Sequence, residues 1–332
     1  MVASGVGYHL DNFGRWLIGS SPRIGSAYAA LLAPAEPHPQ TQPSWRFAQE
    51  YYEQRRWLAC RRGALWEAAA RQAITVPVTL RWYYGTVVDV MLGNDNSLCL
   101  YVCGSFEPNE FALLDRTLRP GMVFVDVGAN DGYYTLFAAR RIGAAGRVIA
   151  VEPSTRERIN LKRNIARNGL VNVTVIPAAL GATCGTADLQ LAQGVHSGHN
   201  TLGRFANDGV KAESVERVTM RTLDEVADEI GLDRIDFMKI DVEGAEAAVI
   251  LGARRVIEAT RPLILLEISD KALRAQGSDA RALIDALRRD LGYEIGIFSV
   301  KSGRIEILGE GGNLSSNVLA MPRDRVPEIA GR

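Results

Sequence analysis

The chain lacks a cysteine framework, an excess of charge of either sign, and an apolar run long enough to cross a bilayer. Its 332 residues hold four cysteines, Cys60, Cys99, Cys103 and Cys184, with no C-x-x-C spacing. A disulfide scaffold is thereby excluded, and all four are expected to be reduced thiols. Lys plus Arg and Asp plus Glu each total 38, so no net basic field argues for nucleic acid as the main partner. The most apolar N-terminal stretch, residues 16–33, is broken by Ser20, Ser21, Pro22 and Arg23. It has neither the length of a membrane span nor the basic start and cleavage pattern of a secretion signal. A cytoplasmic location with no transmembrane segment is the expectation. Histidine is also scarce, with four in all, and two of them stand three residues apart in one glycine-rich segment.

What is present is the composition of a globular protein, 47% hydrophobic and 23% charged, enough for one large domain or a domain with an extension. Residues 1–75 read as a helical extension. Tyr8, Phe13, Trp16 and Tyr28 give its first part an aromatic pattern, expected to pack on its own domain or, alternatively, to bind a partner or pair two copies as a homodimer. Residues 33–44 carry four prolines and read as an extended linker. Residues 76–120 read as a β-rich lead-in, with strands at 76–82, 87–92 and 99–102 and a turn at 93–97. From 121 to 325 strand-like and helical runs alternate. Strands are expected at 122–127, 147–151, 173–177, 235–240, 263–268, 293–298 and 317–320. Helices are expected near 132–142, 155–168, 222–230, 244–258 and 279–290. That alternation predicts an α/β fold, a mostly parallel sheet with helices on both faces. The last two runs are expected to form an antiparallel hairpin at its edge.

The densest information lies in Val123-Phe-Val-Asp-Val-Gly-Ala-Asn-Asp-Gly132. An apolar strand ends in Asp126, Gly128 and Asn130 make a tight turn, and Gly132 opens a helix. The segment places a ligand at a strand end and a helix N-terminus. The third glycine of a dinucleotide fingerprint is replaced by Tyr133. An Asp at the strand end repels a pyrophosphate and attracts an amino group, while Asn130 tolerates a left-handed backbone. Glu152 closes the next apolar run before Pro153, where a carboxylate can accept hydrogen bonds from a ribose diol. A ligand with a cation and a ribose, S-adenosylmethionine, fits both acids. After the third strand, the small residues around Ala179 would let an adenine ring lie flat.

Lys239-Ile-Asp-Val-Glu-Gly-Ala-Glu246 crowds acids at another strand end. Asp241 is expected to face the methyl donor or the acceptor, and Glu243 to bind the acceptor or act as a base. The remaining acid serves the following helix. Glu267 ends the next apolar strand, where an unpaired carboxylate would be costly. His196 and His199 lie in the glycine-rich segment 193–202, expected to be a mobile loop over the sheet's carboxyl edge and part of a longer 182–215 loop. Either imidazole is a candidate to remove a hydroxyl proton. A divalent metal held with nearby carboxylates is possible but the less favoured alternative.

Together, Asp126-Val-Gly-Ala-Asn-Asp-Gly132, Val151-Glu-Pro153, Arg221-Thr-Leu-Asp224, the 239–246 segment and Arg261-Pro-Leu-Ile-Leu-Leu-Glu267 resemble the FkbM-type methyltransferase family. The resemblance covers about 95–321. It implies a Rossmann-like class I S-adenosylmethionine-dependent methyltransferase fold with a seven-stranded sheet whose last strand is antiparallel. It implies cofactor roles for Asp126, Gly128, Asn130 and Glu152 and places Asp241 and Glu243 beside the methyl-transfer site; Asp131, Tyr134 and Pro153 are further cofactor-binding candidates. Members act mostly on hydroxyls of sugars, glycolipids or polyketide-type products, so an O-methyltransferase with a small-molecule, glycan or glycolipid acceptor is expected. The histidine base is read from the residues and not from the family. A nicotinamide-dependent oxidoreductase and a non-enzymatic partner-binding module are the alternatives.

Overall fold

The computed structural model describes residues 14–36, 56–74, 76–104, 106–206, 208–299, 302–309, 312 and 314–329. Most of the proline linker, Tyr8, Phe13 and part of the glycine cluster at 309–312 lie outside them. Two compact units divide the chain: residues 1–112 with 192–198, and residues 113–191 with 199–332. Among the described residues no helix is long and apolar enough to cross a membrane.

In the first unit, helices Pro22–Leu31 (α1) and Arg56–Arg71 (α2) precede an antiparallel hairpin of Val76–Trp82 (β1) and Thr86–Leu92 (β2). Burial alternates along β1, with Val76, Val78, Leu80 and Trp82 inside, the period-two pattern that makes it a strand. Trp82, Tyr83 and Phe111 pack ring against ring in tilted and edge-on pairs. The strand expected at 99–102 is not a strand. The Asn94 side chain accepts from the Asn96 amide and starts a helical turn. The chain then continues as a π-helix, Leu98–Cys103, until Gly104 turns left-handed. A cap upstream outweighed the β-propensity of the apolar run. Pro108–Thr117 (α3) follows.

The second unit is built on one sheet. Its strands are Val123–Val127 (β3), Arg147–Val151 (β4), Val173–Ile176 (β5), Phe237–Ile240 (β9), Leu263–Glu267 (β10), Tyr293–Phe298 (β11), Ile305–Ile307 (β12) and Asn317–Pro322 (β13). The order is β12-β11-β13-β10-β9-β3-β4-β5. The five strands from β10 to β5 are parallel, and β13 runs antiparallel to both of its neighbours. All seven expected strands are present; β12 adds a short eighth at the edge. The expected edge hairpin is corrected in position: β11 and β13 do pair, but β13 slots between β10 and β11. All six of its residues are buried, as an interior strand requires.

Helices Tyr133–Ile142 (α4), Thr155–Arg167 (α5), Leu223–Ile230 (α6), Glu246–Gly252 (α7), Arg254–Thr260 (α8), Asp270–Ala275 (α9) and Ala280–Arg289 (α10) connect the strands. The helix expected over 244–258 is two helices meeting at Ala253. Val125, Ile149, Met238 and Ile264 of the sheet pack with Val226, Val249, Ile257 and Leu283 of α6, α7, α8 and α10. On the other face Ala150 packs with Leu161 of α5, and Phe124 stacks on Phe237 at 5.5 Å. Both faces are therefore covered, which is why β3, β4, β9 and β10 read as nearly unbroken apolar runs.

The expected 182–215 loop is largely structured. Gly185–Ala192 (β7) and Ala212–Arg221 (β8) join Ala179–Leu180 (β6) in a three-stranded sheet, order β6-β8-β7. Leu189, Leu191 and Val218 alternate with polar neighbours and pack together with Ala179.

Candidate active site

The strand order reverses at β3: β4 and β5 lie on one side, β9 and β10 on the other. The crevice outside the carboxyl ends of such strands is where open α/β sheets take ligands. The turns after β3 and β9 meet there. Gly128 has φ 77°, and a Cβ on it would lie 1.8 Å from the Asp241 carbonyl oxygen, so only glycine fits. The Gly128 and Ala129 amides both donate to the Val151 carbonyl at 3.0 Å. Asn130 takes the left-handed conformation expected of it, φ 48°, and its amide donates to Glu152 Oε2 at 2.8 Å. Asp131 is buried, accepts from Asn160 Nδ2 at 3.0 Å, and is pushed up to about 6 by burial.

Asp126 is fully buried at the end of β3. Thr135 Oγ1 donates to its Oδ2 at 2.5 Å, while Oδ1 is buried without a hydrogen-bond partner. Burial pushes its pKa up, against the pull of nearby Lys239. Glu152 accepts the Asn130 amide on one oxygen and the Ser154 amide on the other, the latter at 2.8 Å. Burial raises it to about 8, with Glu157 adding in the same direction. Each of its oxygens retains acceptor capacity for a further donor. Pro153 lends its carbonyl to Arg158.

Across the crevice, Lys239 is the residue to which sequence reasoning gave no role. It sits in β9 opposite Asp126, buried, with Nζ 2.8 Å from Asp241 Oδ2 and 5.0 Å above the Tyr134 ring. A lysine inside an otherwise apolar, buried strand was its signal. Burial works against ionisation of Asp241, but Lys239 and a hydrogen bond from Glu267 hold it below the usual carboxylate range. Lys239 thus favours the charged form of Asp241.

His199 Nδ1 lies 2.8 Å from Glu243 Oε1. Both side chains keep access to solvent, 32% and 19% of their surface, as does Asp241 at 34%. These are groups of the acid cluster that solvent reaches. His196, in the other unit, pairs with Asp95 at 3.3 Å. Glu246 is structural: its Oε1 accepts the Val242 and Gly244 amides at 3.3 and 3.0 Å, and burial raises it to about 7. Ala179 is committed to β6, in register with Met220. A cavity of about 260 Å³ between α7 and α10, lined by Ile250, Leu251, Leu283 and Ala286, shares no residue with the acid cluster.

Comparison with known proteins adds the family. The chain is 35% identical over 211 residues to the AMB antimetabolite synthetase AmbE of Pseudomonas aeruginosa, covering 54% of this chain and 10% of that protein. It is 28% identical over 198 residues to methyltransferase sdnD of Sordaria araneosa, covering 52% and 73%. With 2-O-methyltransferase NoeI of Sinorhizobium fredii the identity is 27% over 184 residues, covering 51% and 72%. The crystal structure of methyltransferase FkbM from Methylobacillus flagellatus superposes with a TM-score of 0.40 at 17% identity, over 68% of this chain and 52% of that one. The chain thus spans a tenth of the synthetase and about half of the crystallised protein. Residues 126–295 match the methyltransferase FkbM domain. That match starts at the acid ending β3, runs into β11 and takes in half of the sequence, and on it the chain belongs to the FkbM methyltransferase family.

Proposed function

We propose that the protein is an S-adenosylmethionine-dependent O-methyltransferase acting on a hydroxyl of a sugar, glycolipid or polyketide-type acceptor. The observation that carries the reading is the 2.8 Å pair of His199 Nδ1 with Glu243 Oε1, reachable from solvent at the carboxyl end of the sheet. The relative named a 2-O-methyltransferase supports a hydroxyl as the acceptor group.

The residues present fit the cofactor. Asp126 supplies a buried carboxyl whose Oδ1 has no hydrogen-bond partner, which costs free energy until a cation or donor meets it. Glu152 retains acceptor capacity for a diol. Asp131 is held beside the turn by Asn160, and the Tyr134 ring faces Lys239. S-adenosylmethionine, when bound, supplies a methyl carbon already activated by its sulfonium. The chain's own work is alignment, exclusion of water and proton removal. Glu243 holds the proton on Nδ1 of His199, which makes Nε2 the basic nitrogen for the acceptor hydroxyl. Asp241, kept ionised by Lys239, accepts a hydrogen bond from the acceptor or the donor, with Glu267 behind it. This route needs no metal.

Calorimetry with S-adenosylhomocysteine tests the cofactor half. Asp126→Asn and Glu152→Gln are each expected to weaken binding about tenfold or more, roughly 1.4 kcal/mol, while NAD gives no heat. Unchanged binding in both variants sinks the assignment. A labelled-methyl transfer screen over monosaccharides, glycolipids and macrolides tests the acceptor half. Transfer is expected to survive exhaustive chelation and to be lost in His199→Gln.

A further inference from the structure

The catalytic pair described above depends on a backbone that does not hold itself. Glu243 has φ 52°, a left-handed conformation that costs a residue with a Cβ about 1 kcal/mol or more. The kink aims its carboxylate back at His199. It persists only if surrounding contacts over-determine it.

Those contacts converge on one side chain. The Gln276 amide, just past α9, donates from Nε2 to the Glu243 carbonyl at 2.8 Å and to Thr201 Oγ1 at 3.2 Å. Thr201 Oγ1 in turn donates to the same carbonyl at 2.9 Å and accepts the Gly203 amide at 3.1 Å. Both lone pairs of the Glu243 carbonyl are therefore taken. The slot around Gln276 is cut to fit it. A Cβ on Gly244, itself at φ 105°, would lie 2.7 Å from Gln276 Nε2 and 2.5 Å from the Ala272 carbonyl. A Cβ on Gly203 would lie 2.6 Å from Gln276 Cγ. Two glycines on two different loops make room for one amide. The loop carrying His199 and the loop carrying Glu243 are fastened to the same group, and Thr201 is further tied to Gln190 by a two-way backbone bridge.

We propose that Gln276 is a positioning residue: with Thr201 it locks Glu243 in its left-handed turn and thereby sets which nitrogen of His199 carries the proton. It touches neither partner's reacting atom. Its effect passes through the Glu243 carbonyl. The inference rests on the reading of His199 as the base, and its test does not use methyl transfer.

The measurement is the side-chain ¹⁵N spectrum of the full chain, in which four histidines make assignment by His199→Gln direct. In the wild type, neutral His199 is expected as a single Nδ1–H tautomer. Gln276→Met fills the slot without donors and is expected to shift both ring nitrogens of His199 toward the averaged position of mixed tautomers. S-adenosylhomocysteine affinity should stay within about twofold, well under 1 kcal/mol. Thr201→Val should act in the same direction and Thr201→Ser should restore the wild-type spectrum. The Thr201 pair carries the test if Gln276→Met does not fold. A His199 spectrum unchanged in Gln276→Met, or in Thr201→Val where that pair decides, overturns the proposal. Wild-type methyl transfer by His199→Gln instead removes the base assignment, and leaves the tautomer result to judge Gln276 alone.

Discussion

Glu152 combines two opposed demands in one side chain. It satisfies the amides of Asn130 and Ser154, yet burial raises its pKa from 4.5 to about 8. The folded chain thus holds this proton more tightly than the unfolded chain does. The resulting stability is complete below about pH 4.5 and is lost as pH rises through about 8. Glu246, raised to about 7, and Asp131, raised to about 6, act in the same direction. The ligand-free melting temperature is therefore expected to fall as pH is raised from 5 to 9, and Glu152→Gln should flatten that slope. The same variant should be less stable than wild type at pH 5 by about 1–3 kcal/mol, since an amide cannot accept from both backbone donors. Parallel melting curves against pH for the two proteins would refute this. Gly128→Ala meets a harder limit, a Cβ 1.8 Å from a carbonyl oxygen at φ 77°. A loss of about 3 kcal/mol or more is expected in urea unfolding. Of these features the acids and the glycine were legible from spacing. Thr201 and Gln276 were not, because their partner, the Glu243 carbonyl, lies 42 and 33 residues away in the chain.

Helix ends show the same division one level up. Thr222 caps α6 by accepting the Glu225 amide at 3.1 Å, a local device that a sequence announces. Asp224, two residues on, caps a different helix: it accepts the Arg255 and Val256 amides of α8 at 3.1 and 2.9 Å. The residue at the α8 N-cap position is Ala253, which has no oxygen to offer, and Asp224 replaces it from outside. Asp224→Ala is expected to cost about 1–2 kcal/mol by urea denaturation. Asp228→Ala, which removes only an exposed pair with Arg255, should cost no more than about 0.5 kcal/mol. Equal losses would show that Asp224 is not a cap. The single helix expected over 244–258 broke at Ala253 for a tertiary reason as well. A Cβ on Gly252 would lie 2.0 Å from the Gly181 carbonyl, so the chain there is shaped by the segment after β6.

At the scale of the whole sheet, the last strand in sequence is a central one in space. Among the described residues β11 pairs only with β12 and β13, and β13 alone connects them to β10. Removing residues 313–332 takes out the six buried positions of β13 and cuts the sheet in two. The truncated chain is expected to lose its cooperative thermal transition by circular dichroism. A sharp melt at the wild-type temperature would contradict the observed topology. The alternation of apolar runs by itself determined that there would be a covered, mostly parallel sheet, and spacing determined that Asp126 and Glu152 would end neighbouring strands. These follow from periodicity and chain order, which are local. The tertiary structure alone decided that β13 enters between β10 and β11, that 185–221 folds into a second small sheet, and that His199 meets Glu243 and Asp241 meets Glu267. Such pairings join residues far apart in the chain, and they are settled by packing and hydrogen-bond satisfaction summed over the whole unit.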